Sequence, residues 1–252
     1  RSELSAATVN GTNYEYAYDN IGNRTAATEG GEITSYVCNG LNQYTMIRRS
    51  AEDFFVPEFD ADGNQYHIQT ETGDWALNYN AANRPTDFSC MDEEGNFLTV
   101  KCDYDFMGRR VFKKVISGTG TVTSHHPPPQ TLSAIARRAC YACLPSQSGN
   151  AAEAGCDLTR TNHPCLWLIT WDPTQPVATR PLAIQKDGTW YTYGLDLTKN
   201  VCEVFGSTGY IRTAYTYSPY GQVTATGNVT QPIQWSSEFS DSELVLVYYN
   251  AR

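Results

Sequence analysis

The sequence predicts an all-β chain, an antiparallel meander of short repeated hairpins. A bend motif returns at nearly constant spacing, turn residues recur about every ten positions, and aromatic residues alternate between the turns. The stretch Tyr16-Ala17-Tyr18-Asp19-Asn20-Ile21-Gly22-Asn23-Arg24 shows this best, an aromatic strand running into a tight bend. Degenerate copies follow at Tyr36…Asn39…Asn42, Phe59-Asp60…Gly63-Asn64, Tyr79-Asn80…Asn83-Arg84 and Tyr104-Asp105…Gly108-Arg109. Counted from the Asp or Asn, successive copies stand 20, 21, 20 and 25 residues apart. Self-similarity at a fixed period marks units that stack rather than fold alone.

Each repeat holds two kinds of bend. The first is Asp-x-x-Gly: Asp19 to Gly22, Asp105 to Gly108, and in variant form Ser218-Pro219-Tyr220-Gly221. Asp or Ser at the first position accepts backbone hydrogen bonds, Pro suits the second, and Gly at the fourth tolerates positive φ. The second kind is a Glu-Gly turn, as in Glu29-Gly30-Gly31-Glu32, Glu71-Thr72-Gly73-Asp74, Glu93-Glu94-Gly95-Asn96 and Lys186-Asp187-Gly188-Thr189. Between bends, Tyr14, Tyr16 and Tyr18 share one face, as do Leu77 and Tyr79, Tyr191 and Tyr193, and Tyr215 and Tyr217. Period-two placement with Thr and Val between is the pattern of half-buried antiparallel strands. This spacing predicts on the order of twenty strands, and open sheets of that size curl or close. The only candidate for a helical turn is 131–142.

Composition supports a wall rather than a binder of polyanions. The 17 tyrosines suit surfaces that are dry on one side and wet on the other. A net charge of -9 leaves no basic stripe for phosphate contacts, which excludes nucleic acid as a partner. The largest basic cluster, Arg109-Arg110 with Lys113-Lys114, would point to both faces of a strand and reads as a charged strand end. No apolar run reaches the roughly 20 residues of a membrane helix. Residues 1–10 lack an apolar signal core and do not begin with Met, as in an internal piece of a longer protein.

These motifs resemble the YD-repeat, or Rhs-repeat, family of bacterial polymorphic toxin proteins. The repeat residues Tyr16, Tyr18, Asp19, Gly22, Asn23 and Arg24 match the family motif, with Asp60, Gly63, Tyr79, Asn83, Tyr104, Asp105 and Gly108 in its copies. Near the C-terminus, Tyr193-Gly194-x-Asp196-Leu197-Thr198-x-Asn200 and Tyr215-x-Tyr217-Ser218-Pro219-Tyr220-Gly221 resemble the Rhs repeat-associated core. Trp235-Ser236-Ser237-Glu238-Phe239 and Leu246-x-Tyr248-Tyr249-x-x-Arg252 continue it. The resemblance covers 12–123 and 166–252. It implies a spiral sheet forming an open fragment of a hollow shell, exported to the cell surface or beyond. Its partners would be the remainder of the shell and an enclosed toxin domain. It also implies a division into repeats (1–123), an irregular Cys/Pro-rich insertion (124–165) and a core (166–252). That core is expected to stop before the family's Asp-Pro-x-Gly-Leu-like self-cleavage segment and the toxin. Asp172-Pro173 does not replace that segment, since Thr174-Gln175-Pro176 follows. Val245 stands where the family has Gly, which puts that turn in doubt because a β-branched residue resists positive φ.

Residues 125–165 break the pattern. His125-His126-Pro127-Pro128-Pro129 does not suit a ladder interior. Cys140, Cys143, Cys156 and Cys165 follow, with His163. Tetrahedral zinc and disulfides are alternatives here, but eight residues separate Cys156 from Cys165, and the preferred reading is an irregular insertion or drifted repeat. Cys38 and Cys102 fall at or beside Tyr positions and read as small core fillers.

No catalytic motif, phosphate loop or dinucleotide fingerprint occurs in the sequence, and the expectation is a non-enzyme without cofactor or metal. His67 reads as solvent-facing. Asp60-x-Asp62-Gly63-Asn64 has the look of a Ca²⁺ loop but lacks the distal Glu, and its place in the register makes it a turn. The Asn-x-Thr triplets at Asn10, Asn23 and Asn228 read as incidental. Two functions follow: a shell wall that acts by enclosure, and, as the alternative, a cell-surface repeat binding carbohydrate or a neighbouring cell. Trp75, Trp190 and Trp235 would serve the second if exposed, but core packing is their expected fate.

Overall fold

The computed structural model describes residues 3–249 except 92–94, 107, 109, 119–121, 126–137, 143–164, 173 and 175–179. The described residues form three antiparallel meanders and one small hairpin. The first sheet runs β1 (Ala6–Val9), β2 (Thr12–Tyr18), β3 (Arg24–Glu29), β4 (Glu32–Cys38), β5 (Tyr44–Arg48) and β6 (Phe54–Phe55). The second comprises β7 (Glu58–Phe59), β8 (Gln65–Thr70), β9 (Gly73–Tyr79), β10 (Pro85–Met91), β11 (Phe97–Tyr104), β12 (Arg110–Ser117) and β13 (Val122–His125). The third comprises β14 (Arg138–Ala142), β15 (Cys165–Trp171), β16 (Pro181–Lys186), β17 (Thr189–Leu195), β18 (Val201–Phe205), β19 (Ile211–Tyr217) and β20 (Val223–Gly227). A terminal hairpin pairs β21 (Phe239–Asp241) with β22 (Leu246–Tyr248). Among the described residues strands neighbour one another in chain order, and no sheet closes on itself. The expected all-β meander is therefore the fold.

The two bend types carry the architecture. Two of the Glu-Gly turns are two-residue hairpins with both central residues at positive φ, Gly30 and Gly31 (59° and 96°) and Asp187 and Gly188 (49° and 78°), while the Glu71-Thr72 loop has neither residue there. That mirror-image twist matches the strands it joins. In the Asp-x-x-Gly bends the fourth residue has positive φ every time, whatever its type: Gly22, Asn42, Gly63, Asn83, Gly108, Lys199, Gly209 and Gly221. Asn is the side chain that best tolerates this region after Gly, so Asn42 and Asn83 are working substitutes. The Arg84 guanidinium packs directly on Gly108, where a Cβ would displace it.

Apolar faces fill two main cores. One lies under the second sheet around Trp75, Phe88, Val100 and Val115, and the other lies under the third around Ile169, Ile184, Val204 and Phe239. Cys102 is 2% exposed and is the core filler expected of it, while Cys38 is half-buried. Arg138–Ala142 is a strand paired to β15, not a helical turn, since its backbone pairs with Leu168 at Cys140 and with Thr170 at Arg138. The irregular segment thus gives part of itself to the third sheet. Cys143, Cys156 and His163 lie outside the described residues.

Candidate functional site

The repeated bend is a hydrogen-bonded unit centred on one carboxylate. Asp19 Oδ1 accepts from the backbone N–H of Ile21 (2.9 Å), Gly22 (2.8 Å) and Asn23 (2.9 Å), while Oδ2 accepts from Asn23 Nδ2 at 2.8 Å. The Asp19 N–H closes the loop onto Asn23 O at 2.9 Å. Asp60 and Asp196 repeat the arrangement with Asn64 and Asn200. The carboxylate of Asp60 is thus engaged by its own turn, as its place in the repeat requires. Asn39 and Asn80 supply the same oxygen without the charge. At Asp19, slight desolvation is outweighed by the Asn23 amide and the three N–H donors, which lower its pKa. The Asn64 amide leads the same lowering at Asp60. In the fourth such bend Gly108 N donates to Asp105 O at 2.9 Å.

Neighbouring bends are tied to one another. Asn23 Nδ2 also reaches Asn42 Oδ1 at 3.2 Å, and Asn64 Nδ2 reaches Asn83 Oδ1 at 3.0 Å. The αL asparagine of one bend therefore receives the amide of the bend before it. Where a tyrosine precedes the bend, it adds a second tie. Tyr18 donates to Leu4 O (3.0 Å), Tyr79 to Gln65 O (2.6 Å), Tyr104 to Pro85 O (2.8 Å) and Tyr217 to Val201 O (2.7 Å). Ring buried and hydroxyl bonded is the state that burial of tyrosine favours. Tyr193 instead donates to the buried Gln231 at 2.9 Å, and Tyr215 is 5% exposed.

The bends also bring distant parts together. Tyr220, in the Ser218-Pro219-Tyr220-Gly221 bend, sits edge-on to Tyr16 at 4.8 Å and under the Arg24 guanidinium at 3.9 Å. Its hydroxyl shares a short hydrogen bond with that of Tyr18. Arg24 also lies over Tyr16, 4.8 Å from its centroid. The remaining motif residues stay spread along the sheets and converge on no common pocket.

The most chemically loaded place was read differently from the sequence. Arg110 and Lys113 do not sit on opposite faces of a charged strand end; they are 4% and 0% exposed. Lys113 Nζ lies 2.7 Å from Asp241 Oδ1 and 2.5 Å from Glu243 Oε2, and Arg110 Nη1 lies 3.2 Å from Asp241 Oδ2. The Arg110 side chain stacks on Tyr248, 4.2 Å from its centroid, and its backbone N–H donates to the Tyr248 hydroxyl at 2.7 Å. A β-bulge explains the inversion. The ladder pairs Cys102 with Lys113 and Asp103 with Phe112, then jumps so that Tyr104 pairs with Arg110. The extra residue puts Arg110, Lys113 and Val115 on one face. The same jump follows the Asp19, Asn39, Asp60, Asn80 and Asp196 bends. The available signal was a constant six-residue step across these bends, from Tyr18 to Arg24 and from Tyr104 to Arg110.

Burial works to raise the Glu243 carboxyl, but the Lys113 charge and hydrogen bond, with its own N–H and the Ser242 hydroxyl, bring it down to about 2. Burial pushes the Cys102 thiol up despite Arg110 beside it. An ionised carboxylate and a protonated thiol suit a clasp rather than acid–base or thiolate chemistry. Among the described residues no group of three or more His, Cys, Asp or Glu is placed to hold a metal. No described helix is long and apolar enough to cross a membrane.

Other expectations are corrected in detail. His67 is half-buried, its ring 5.1 Å from Phe55 and its Nδ1 3.9 Å from Glu58. Trp75 is fully buried and Trp235 half-buried against Tyr217, but Trp190 is 39% exposed because its strand turns that side outward. Val245 does form its turn, at φ 52°. Its neighbour Leu244, 2% exposed, is anchored in the second core, which holds the turn in place.

No family model matches the sequence, and no curated protein matches it. Solved structures do. The chain is similar to a Photorhabdus luminescens Tc holotoxin pore with a mutated TccC3, at 18% identity and TM-score 0.58 over 99% of its length. It is similar to a TcdB2-TccC3-Cdc42 crystal structure at 13% identity and TM-score 0.55 over 96%. It spans only 12% and 15% of those chains. At these identities the likeness is one of fold.

Proposed function

We propose that the chain is a wall segment of a YD-repeat or Rhs-repeat shell that encloses a toxin domain and acts by enclosure, without catalysis. The observation that carries this is the tying of neighbouring bends in two pairs, through Asn23–Asn42 and Asn64–Asn83, with tyrosine hydroxyls bridging strands. A strip built this way spends its polar groups on continuity, which is what a container needs. The likeness to a Tc holotoxin pore structure over nearly the whole chain supports the same reading.

In this reading 1–123 are repeats, 124–165 an insertion and 166–252 the core. The partners are further shell and an enclosed toxin, and the protein works outside the cell that makes it. Arg110, Lys113, Asp241 and Glu243 then fasten the end of the strip to its middle. Electron microscopy of the protein isolated from its host tests the proposal. Hollow particles with internal density, whose contents resist added protease, are expected. Solid or filamentous particles would overturn it, as would a specific hit on a glycan array lost in W190A.

A further inference from the structure

We propose that strand β20 is a docking edge for a second copy of this chain, the two strands pairing antiparallel about Ala225. Among the described residues β20 ends the third sheet, with β19 on one side and no strand on the other. All five of its residues are exposed, which holds for no other strand whose burial is described. Its pairing with β19 runs in step from Tyr217↔Val223 to Thr213↔Gly227 without a bulge. Natural edges are blunted by charge, proline, bulges or extreme shortness. β6 and β7 follow that rule, at two residues each with Pro57 between them. β20 uses none of these devices.

An open row of N–H and C=O groups selects an extended strand as its partner. Charge then selects which one. Each chain carries a net charge of -9, yet no charged residue occurs between Arg212 and Glu238. This neutral stretch is where two acidic copies approach at least cost. Two-fold pairing about Ala225 sets Thr224 opposite the partner's Thr226 and Val223 opposite the partner's Gly227. Threonine pairs across strands are favourable, and no like charges meet. The two-fold joint also closes, whereas a head-to-tail joint from β20 to β1 would leave free edges and grow.

Sedimentation velocity of the whole chain between about 1 and 200 µM tests this. A reversible monomer–dimer equilibrium is expected, tighter at higher salt because the net repulsion is screened. Ala225→Lys places two ammonium groups on the two-fold axis and should weaken the dimer about tenfold or more, without changing the melting temperature at dilutions where the parent is monomeric. Thr8→Lys, on the exposed edge strand β1, should leave the dimer intact. Amide exchange at 223–227 should slow with concentration in the parent and not in A225K. A monomer throughout, growth beyond the dimer, or equal association of A225K would each overturn the proposal.

Discussion

The Lys113 ammonium lies 2.7 Å from a carboxylate oxygen of Asp241, 128 residues further along the chain, with 0% and 2% of the two side chains exposed. Arg110 shares the same carboxylate. Replacing Asp241 with Ala leaves Arg110 without a carboxylate and Lys113 with Glu243 alone, and breaking a buried pair in this way costs about 3–5 kcal/mol. Urea denaturation of D241A should show a loss of that size. A loss under about 1 kcal/mol would mean that the clasp does not hold the terminal hairpin.

Acid should loosen the same clasp. The Glu243 pKa is about 2 in the fold, below the ordinary 4.5. Because the folded value is the lower one, the stabilisation is complete above about pH 4.5 and fades as pH falls through that value toward 2, a term of about 2–3 kcal/mol. Asp19, Asp60 and Asp196 are lowered too and act in the same direction. Melting temperature should therefore fall steadily between pH 5 and about 2. E243Q should start lower at neutral pH and fall less steeply; an unchanged slope would contradict the assignment.

The bends discriminate between losing a charge and losing an acceptor. Asn39 and Asn80 occupy the place of Asp19 and accept the same backbone bonds. D19N should therefore cost little, while D19A takes the side-chain acceptor from the N–H groups of Ile21 and Asn23, leaves Gly22 only the Asp19 carbonyl, and should cost about 1–2 kcal/mol. Thermal melts of the two variants side by side decide it, and equal losses would count against the hydrogen-bonded bend.

Val245 holds φ at 52°, a region that costs a side-chain-bearing residue about 1–2 kcal/mol. V245G should relieve that strain. A net gain of about 0.5–1 kcal/mol is expected after the unfolded chain's extra freedom is counted. A destabilised V245G would show that the valine side chain contributes packing there.

Tyrosine hydroxyls across the repeats give a fifth measure. Y79F and Y217F each remove one bond to a carbonyl of another strand, 2.6 and 2.7 Å long. Each should cost about 1 kcal/mol. The losses should exceed that of Y210F, since Tyr210 is 76% exposed.

Local chemistry was legible from the residues alone. Asp19, Asp60 and Asp196 signal their bends because a carboxylate two to four residues before the N–H groups has little else to bind. The positive φ at the fourth position was equally legible, as was the alternation of tyrosines. The sequence by itself thus determined the strands, the turns and their order, all of which act within a few residues. What only the tertiary structure decided was which faces close. One bulged residue beyond Tyr104 turns Arg110 and Lys113 inward, and Asp241 and Glu243 arrive from the far end of the chain to meet them. Tyr220 likewise finds Tyr16 and Arg24 only after two sheets intervene. A period of two states which residues share a face, but the burial of a charge depends on whether an opposite charge reaches it, and that is settled by the path of the whole chain.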